Sequence, residues 1–497
     1  MALGGSLTLE STGEHSEVVL DITHIGQVQA RQGTAADSVT GLSQFMDHFS
    51  DANGPSIALN AASGDAKFAV DLWDETAGKY TFEKFGSQFG LRDKFNSMNA
   101  AVNGQSIAQE EGVHTNNFMY LWVNSAEQLQ GIQTFYKNGL DGGSNDTEAL
   151  HYNYALKQDI NASNLTGYTA IGTGSDGYMG TFDGRGHHII GLDAAKGSDG
   201  NVQSVEHAGI FSQIGASGTV KNVNIYSSTF DGTETAGAVA GVNEGTIAQV
   251  NTFGNTISSQ GSAGGVAGIN TNGEADFNEA AGTVGLKRGI YDVESVGSVI
   301  AKGGRAVAGG IAGTNEADGV VDFSYSNSAV TSDGTASSGG LGGVVGYNTG
   351  GVYRIDSLGV TNGGDSGSSN VGGVIGINDG TMYNAYNESI ISGEQNVGGI
   401  IGVNHSGKTV SNVVNAANIT GTADSQYVGG LIGDNSGIVQ NGRNNGEITG
   451  QAYVGGLVGI NQQGAKMERI VNDSSAAITG DSYVGGIAGK NVGTISA

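Results

Sequence analysis

The stretch from Tyr453 to Gly464, YVGGLVGINQQG, decides how the chain is read. A Gly-rich run can cradle a phosphate when it joins a strand to a helix. No helical segment follows here, and the run recurs. YVGGIAGKN begins at Tyr483, YVGGLIGDN at Tyr427, NVGGIIGVN at Asn396 and NVGGVIGIN at Asn370. Upstream stand GLGGVVGYN from Gly340, VAGGIAGTN from Val307, SAGGVAGIN from Ser262 and TAGAVAGVN from Thr235. HAGIFSQIG, from His207, is a degenerate first copy.

The first glycines of the copies are Gly237, Gly264, Gly309, Gly342, Gly372, Gly398, Gly429, Gly455 and Gly485, spaced 27, 45, 33, 30, 26, 31, 26 and 30 residues apart. A period of this size marks a solenoid. From Val454 to Gly480 each unit reads as three short strands, VGGLVGIN, KMERIVN and AITG, separated by QQG and DSSA. Strands this short, bounded by Gly, Asn, Asp and Ser, leave no room for a helical crossover. The expected fold is therefore all-β: a parallel, right-handed β-helix with about three strands per coil. Leu457, Gly459, Met467, Ile470 and Ile478 are expected to face inward. Each buried aliphatic side chain contributes roughly 1.5–3 kcal/mol. The paired glycines let the chain bend or another segment approach.

The motif asparagines align as well: Asn243, Asn270, Asn315, Asn348, Asn378, Asn404, Asn435, Asn461 and Asn491. Stacked amides can hydrogen-bond along the axis, and Asn tolerates a left-handed turn. A second column is expected at Asn387, Asn415, Asn444 and Asn472.

Composition agrees with an ordered repeat. The 497 residues include 88 Gly, 1 Pro and 37% hydrophobic residues, and almost every N–H of a sheet without proline can pair. The net charge of −27 makes nucleic acid and anionic lipid poor partners. Zero Cys excludes disulfides and thiolate chemistry. The start, MALGGSLTLES, lacks a signal peptide, and no apolar run has membrane-spanning length, so no direct membrane insertion is expected.

The repeated VGGLVGIN with its interval near 30 resembles the GLUG repeat of large bacterial surface proteins, including filamentous-haemagglutinin-like adhesins; the repeat also occurs in some IgA-peptidase-related proteins. YLWVNSAEQLQGI from Tyr120, YALKQDINASNL from Tyr154, YTAIGTG from Tyr168 and GTFDGRGHHIIGL from Gly180 resemble the segment that precedes such repeats. The resemblance covers about Tyr120 to Ala497. It implies a cell-surface adhesin, extracellular, whose partner is a host or bacterial surface glycan or protein. The chain ends just after a coil has begun its second strand, which reads as a fragment of a longer exported protein. A dozen coils at about 4.8 Å each would extend roughly 55–60 Å.

Three regions are expected: a mixed segment over 1–119, a lead-in with a short helix over 120–206, and the repeat solenoid over 207–497. Ser125 and Gln128 form a capping box for a helix from Ala126 to about Tyr136, which caps or flanks the start of the solenoid. In the first region GSLTLES and EVVLDITHIGQVQA read as strands, possible earlier coils. SVTGLSQFMDHFSDANG and EKFGSQFGLRDKFNSMNAAVNG read as amphipathic helices with Phe45, Phe49, Phe85, Phe89 and Phe95 in the core.

Chemistry has few candidates. No HExxH and no His-Asp-Glu set with ligand spacing occurs, so no metal site is expected; Asp183 and His187 in FDGRGH read as a turn. No GxSxG is present. Outward positions of the second strand hold Tyr325, Tyr386, Val414, Arg443 and Val471, with no acid pair in register. No catalytic residue and no cofactor is expected. Asp-bearing turns from Gly363 and Thr331 could hold calcium, although ordinary solvated turns look the same. Candidate ligand contacts are the basic Lys287, Arg288 and Arg305, beside the insertion at 273–289, and Tyr427, Tyr453 and Tyr483, which share a register. Stacked tyrosines either bind a ligand or stabilise a sheet. The main reading is a non-catalytic adhesin segment. The rivals are a glycan-active β-helix enzyme (lyase or hydrolase) and a pure spacer.

Overall fold

In the computed structural model, residues 71–80 and 119–496 are described with gaps at 139–146, 175, 200, 202, 279–282, 335–338, 365–367 and 474; before residue 71 the backbone of seven strands is described. Contacts divide the chain into two units, Met1–Ile160 with Met179–His187, and Asn161–Tyr178 with His188–Ala497.

The second unit is the parallel β-solenoid. Its coils differ from the expected three strands: VGGLVGIN is two strands, and in this coil KMERIVN is two as well. Ala452–Gly455 ends at the first glycine and Val458–Asn461 begins after a corner at Gly456 and Leu457. The coil continues through Lys466–Glu468, Val471–Asn472 and Ile478–Thr479. Ten copies of the Val458–Asn461 strand form one parallel ladder from Phe211–Ile214 to Ala488–Asn491. The degenerate copy is its first rung, with Ile214 opposite Asn243.

Each motif glycine answers a different collision. A Cβ on Gly455 would lie 2.0 Å from the Val458 carbonyl oxygen, because the chain doubles back there. On Gly399 it would lie 2.5 Å from Asn415 Cγ, and on Gly310 2.1 Å from Ser326 Oγ. The second glycine thus makes room for the second buried polar column. On Gly459 a Cβ would lie 2.3 Å from the backbone of Tyr427 in the preceding coil. Leu457 at the corner and Met467 in the next strand are buried, as are Ile419 and Ile448, whereas Ile470 and Ile478 in the last full coil are half-buried.

The motif asparagines form a continuous amide column. Asn243 donates to Asn270, Asn270 to Asn315, Asn315 to Asn348 and Asn348 to Asn378, each at 2.8 Å. The column continues through Asn404, Asn435, Asn461 and Asn491 at 2.9 Å each. The eight from Asn243 to Asn461 are wholly buried. Several also bond their own turn, as Asn435 does with the Gly437 N–H at 3.2 Å. The second column runs Asn387 to Asn415 to Asn444 at 2.8 Å, then to Asn472 at 2.9 Å. Its earlier positions, Ser295, Ser326 and Ser357, share that register. The expected left-handed turns fall elsewhere. None of the column asparagines has positive φ; Asn370, Asn396, Asn384, Asn412 and Asn441 do.

The insertion is an antiparallel hairpin. Glu274–Asn278 pairs with the start of Thr283–Ala301, which then runs straight into the parallel coil.

In the first unit, Leu7–Ser11 pairs in parallel with Ile57–Ala61, and Glu17–Asp21 with Asp65–Val70. Asp65–Val70 pairs in turn with Met119–Val123, and that with Asn153–Leu156. The helix expected from Ser38 is strand through Thr40, where Ala35–Thr40 forms a hairpin with Gln27–Gln32. The rest of both expected helices, with Phe45, Phe49, Phe85, Phe89 and Phe95, lies outside the described residues. The helix Ala126–Asn138 starts as its cap predicts: the Ser125 hydroxyl accepts the Gln128 N–H at 3.2 Å. The Gln128 carbonyl accepts the Asn124 N–H at 2.5 Å, one residue earlier than in the usual box. Its Gly131 lies against the Trp73 ring, where a Cβ would come within 2.3 Å. Because the sheet extends on both sides of Met119–Val123, this helix flanks the sheet and does not close it. Among the described residues no helix is long and apolar enough to cross a membrane.

Two stability outcomes follow. Gly399→Ala is expected to cost about 2–3 kcal/mol through overpacking. Gly407→Ala, in open space at φ +77°, should cost only about 1 kcal/mol for its left-handed backbone. Urea unfolding combined with hydrogen exchange measures both, and equal losses would contradict the collision argument. Asn404→Ala should destabilise by about 2–3 kcal/mol, because it takes the inter-coil partner from the buried amides of both Asn378 and Asn435. The exposed Asn445→Ala, at a position without left-handed backbone, should cost less than about 0.5 kcal/mol.

Candidate binding surfaces

Tyr427, Tyr453 and Tyr483 precede Val428, Val454 and Val484, which are in register on three successive coils. Their rings stack, with centroids 5.1 Å apart at 26° and then 4.6 Å apart at 4°. Tyr427 and Tyr453 are half-buried and Tyr483 is exposed. All three have left-handed backbone, at φ 57°, 55° and 55°. In the preceding coils the same position is filled by Gly340, Asn370 and Asn396. Those residue types adopt this conformation at low cost; a bulky aromatic does not. The sequence gives the shared register, but not the strained backbone.

The basic candidates come from two parts of one coil. Arg288 sits at the base of the hairpin where the coil resumes, and Arg305 lies in the turn before Val307–Gly309, so strands of the same coil separate them in the chain. The Lys287 backbone is in the hairpin, and its side chain lies outside the described residues. The turns proposed for calcium include the undescribed residues 335–338 and 365–367.

A groove of about 450 Å³ follows successive turns after the asparagine column. Asp318, Thr349, Tyr353, Thr381, Lys408 and Thr409 line it, together with turn glycines. These turns stack because Gly350 and Gly380 admit the neighbouring turn at 2.2 Å from a would-be Cβ.

The outward column of the third strand corrects one expectation. Glu294, Tyr325, Asp356, Tyr386, Val414, Arg443 and Val471 share one register. Two acids, Glu294 and Asp356, therefore flank Tyr325, roughly 10 Å apart by two coil rises. Asp356 is exposed and Glu294 half-buried. His187 and His188 diverge: His187 Nδ1 lies 3.2 Å from Asp159, and the His188 ring lies 4.9 Å from that of Tyr226, tilted by 39°. Asp183 is buried and its carboxylate accepts the Arg185 N–H at 2.8 Å, holding the FDGRGH turn. Glu206, His207 and Glu234, on adjacent coils, gather their donor atoms within 4.8 Å of one another. Sequence spacing missed this set because its members lie one coil apart.

No family model matches the chain, and no curated protein matches it. Among solved structures it is similar to the crystal structure of a "putative immunoglobulin A1 protease" from Bacteroides ovatus. The match has 17% identity, a TM-score of 0.36, and covers 74% of this chain and 84% of that one. So distant a likeness carries no argument about activity.

Asp434 interrupts the otherwise largely apolar outward column of the ladder strand, between Val403 and Ile460. Burial raises its pKa, opposed by the hydrogen bond from Gln462 and by His405. A carboxyl whose folded value is raised binds protons more tightly when folded. It favours folding below its unfolded value, and this contribution is lost as pH rises through the folded value. Asp434→Asn is therefore expected to be more stable than the parent at pH 7, with the difference shrinking toward pH 4. Thermal melts across that range check it, and a gap that widens on acidification would contradict the assignment.

Proposed function

We propose that this chain is a non-catalytic binding scaffold of an exported bacterial surface protein, adhesin-like in role, which engages a surface carbohydrate through the tyrosine strip. The carrying observation is the backbone of Tyr427, Tyr453 and Tyr483. Three successive coils place a bulky aromatic where Gly or Asn is the inexpensive choice. Strain of order 1–3 kcal/mol per residue is retained where something else requires the side chain. Stacked, partly exposed aromatic faces suit the apolar face of sugar rings, while the phenol hydroxyls offer hydrogen bonds at the rim. The net charge of −27 supports a neutral or basic partner over an acidic one.

The rival reading, a glycan-active enzyme, rests on Glu294 and Asp356 flanking Tyr325. An inverting pair needs about 6.5–9.5 Å, room for the attacking water between the carboxyl groups, and a sheltered acid that stays protonated. The exposed position of Asp356 favours the scaffold.

Tyr453→Asn tests the proposal. Asn already occupies this backbone in earlier coils, so stability should change by less than about 1 kcal/mol, the loss of stacking offsetting relief of strain. Retention on an array of immobilised neutral and acidic glycans should fall at least tenfold. Retention unchanged by Tyr427→Asn and Tyr453→Asn together would sink the strip as the contact. Turnover of any glycan, abolished by Asp356→Asn, would favour the enzyme.

A further inference from the structure

We infer that Glu206, His207 and Glu234 form a zinc site that ties two neighbouring coils together at one end of the asparagine-ladder solenoid. His207 pairs in register with Thr235 of the next coil, and a shift between Val205 and His207 brings Glu206 alongside Glu234. One coil thus gathers residues 28 apart in the chain. The His207 Nδ1 lies 2.9 Å from the Thr235 hydroxyl. Donation of Nδ1–H to that oxygen orients the ring and leaves the Nε2 lone pair available, the arrangement that holds metal-bound imidazoles. Nε2 faces Glu206 at 3.8 Å. All three donor atoms lie within 4.8 Å of one another. Tetrahedral zinc bonds of about 2.0–2.2 Å place donors roughly 3.4 Å apart, so the carboxylates would move inward by up to about 1.4 Å.

The site stands on strands, which fix it. His207 lies over Gly241, where an added Cβ would approach the His207 Cβ to 2.7 Å, so glycine at that position makes room for the histidine. Glu206 and Glu234 are exposed and can adjust by rotating, while the half-buried His207 is the anchor. Two carboxylates stacked at one coil's separation repel unless a cation lies between them. The nitrogen donor selects a borderline metal such as zinc over calcium or magnesium, which take oxygen ligands. Water completes the coordination. The same arrangement does not recur farther along, because Gly261 and Ser262 follow Glu234 and Thr235 in the column.

The test uses the full chain, stripped with EDTA, dialysed and titrated with zinc chloride by calorimetry, with thermal melting in parallel. Saturable binding of one zinc per chain and a rise in melting temperature are expected. His207→Ala and Glu234→Gln should each weaken binding at least tenfold. His207→Gln keeps a polar group for Thr235 and separates loss of the ligand from loss of local packing. His187→Ala should bind as the parent does. Absence of saturable binding by the parent, or unchanged binding by both His207 variants, would overturn the site. Equal binding of calcium chloride, insensitive to His207, would overturn the assignment to zinc.

Discussion

The buried amide column is the constraint on which the rest depends. Each inner asparagine donates to the next coil, accepts from the one before, and several also hold their own turn. Such groups are costly to bury unpaired, so the arrangement tolerates little slippage. A register shift of one residue would turn every amide outward and every neighbour inward. The column thereby sets the vertical alignment of the coils from Asn243 to Asn491, and that alignment brings other columns into contact. The second polar column faces the second motif glycine, so the Gly-Gly pair and the asparagines of the third strand are two sides of one packing requirement.

In such a framework departures from the repeat carry more information than the repeat. The hairpin at 274–288 enters a turn, where added residues do not disturb the stacked strands. Serine replaces asparagine in the second column at Ser295, Ser326 and Ser357 without breaking the register. Tyrosine replaces asparagine at the left-handed position of three coils, and the fold keeps the strained backbone. Glu206, His207 and Glu234 collect polar donors beside the weakest copy of the motif. Each departure is local because coils touch only their neighbours, so a repeat body can acquire separate surfaces without redesigning its core.

Much of this was legible from residue pattern. Short alternating segments gave strands, Gly and Asn gave turns, and the Ser125–Gln128 cap gave the one described α-helix. VGGLVGIN was misread as one strand because inward-facing residues continue across the corner at Leu457, and a two-residue periodicity does not record a change of direction. The Ser38–Thr40 segment, whose pattern suits the start of a helix, is held instead by a hairpin partner, Gln27–Gln29. The acids Glu294 and Asp356 were missed as a pair because matching only some coils hid their common register.

The sequence by itself determined the class of fold, the period and the identity of the ladder asparagines, since these follow from local spacing repeated many times. Only the tertiary structure decided which glycine meets which side chain, where the backbone turns left-handed, and which titratable groups gather. Those depend on contacts between residues about one coil apart, and coil lengths vary from 26 to 45 residues. A fixed spacing rule cannot anticipate such contacts, whereas hydrogen-bonded registers settle them residue by residue.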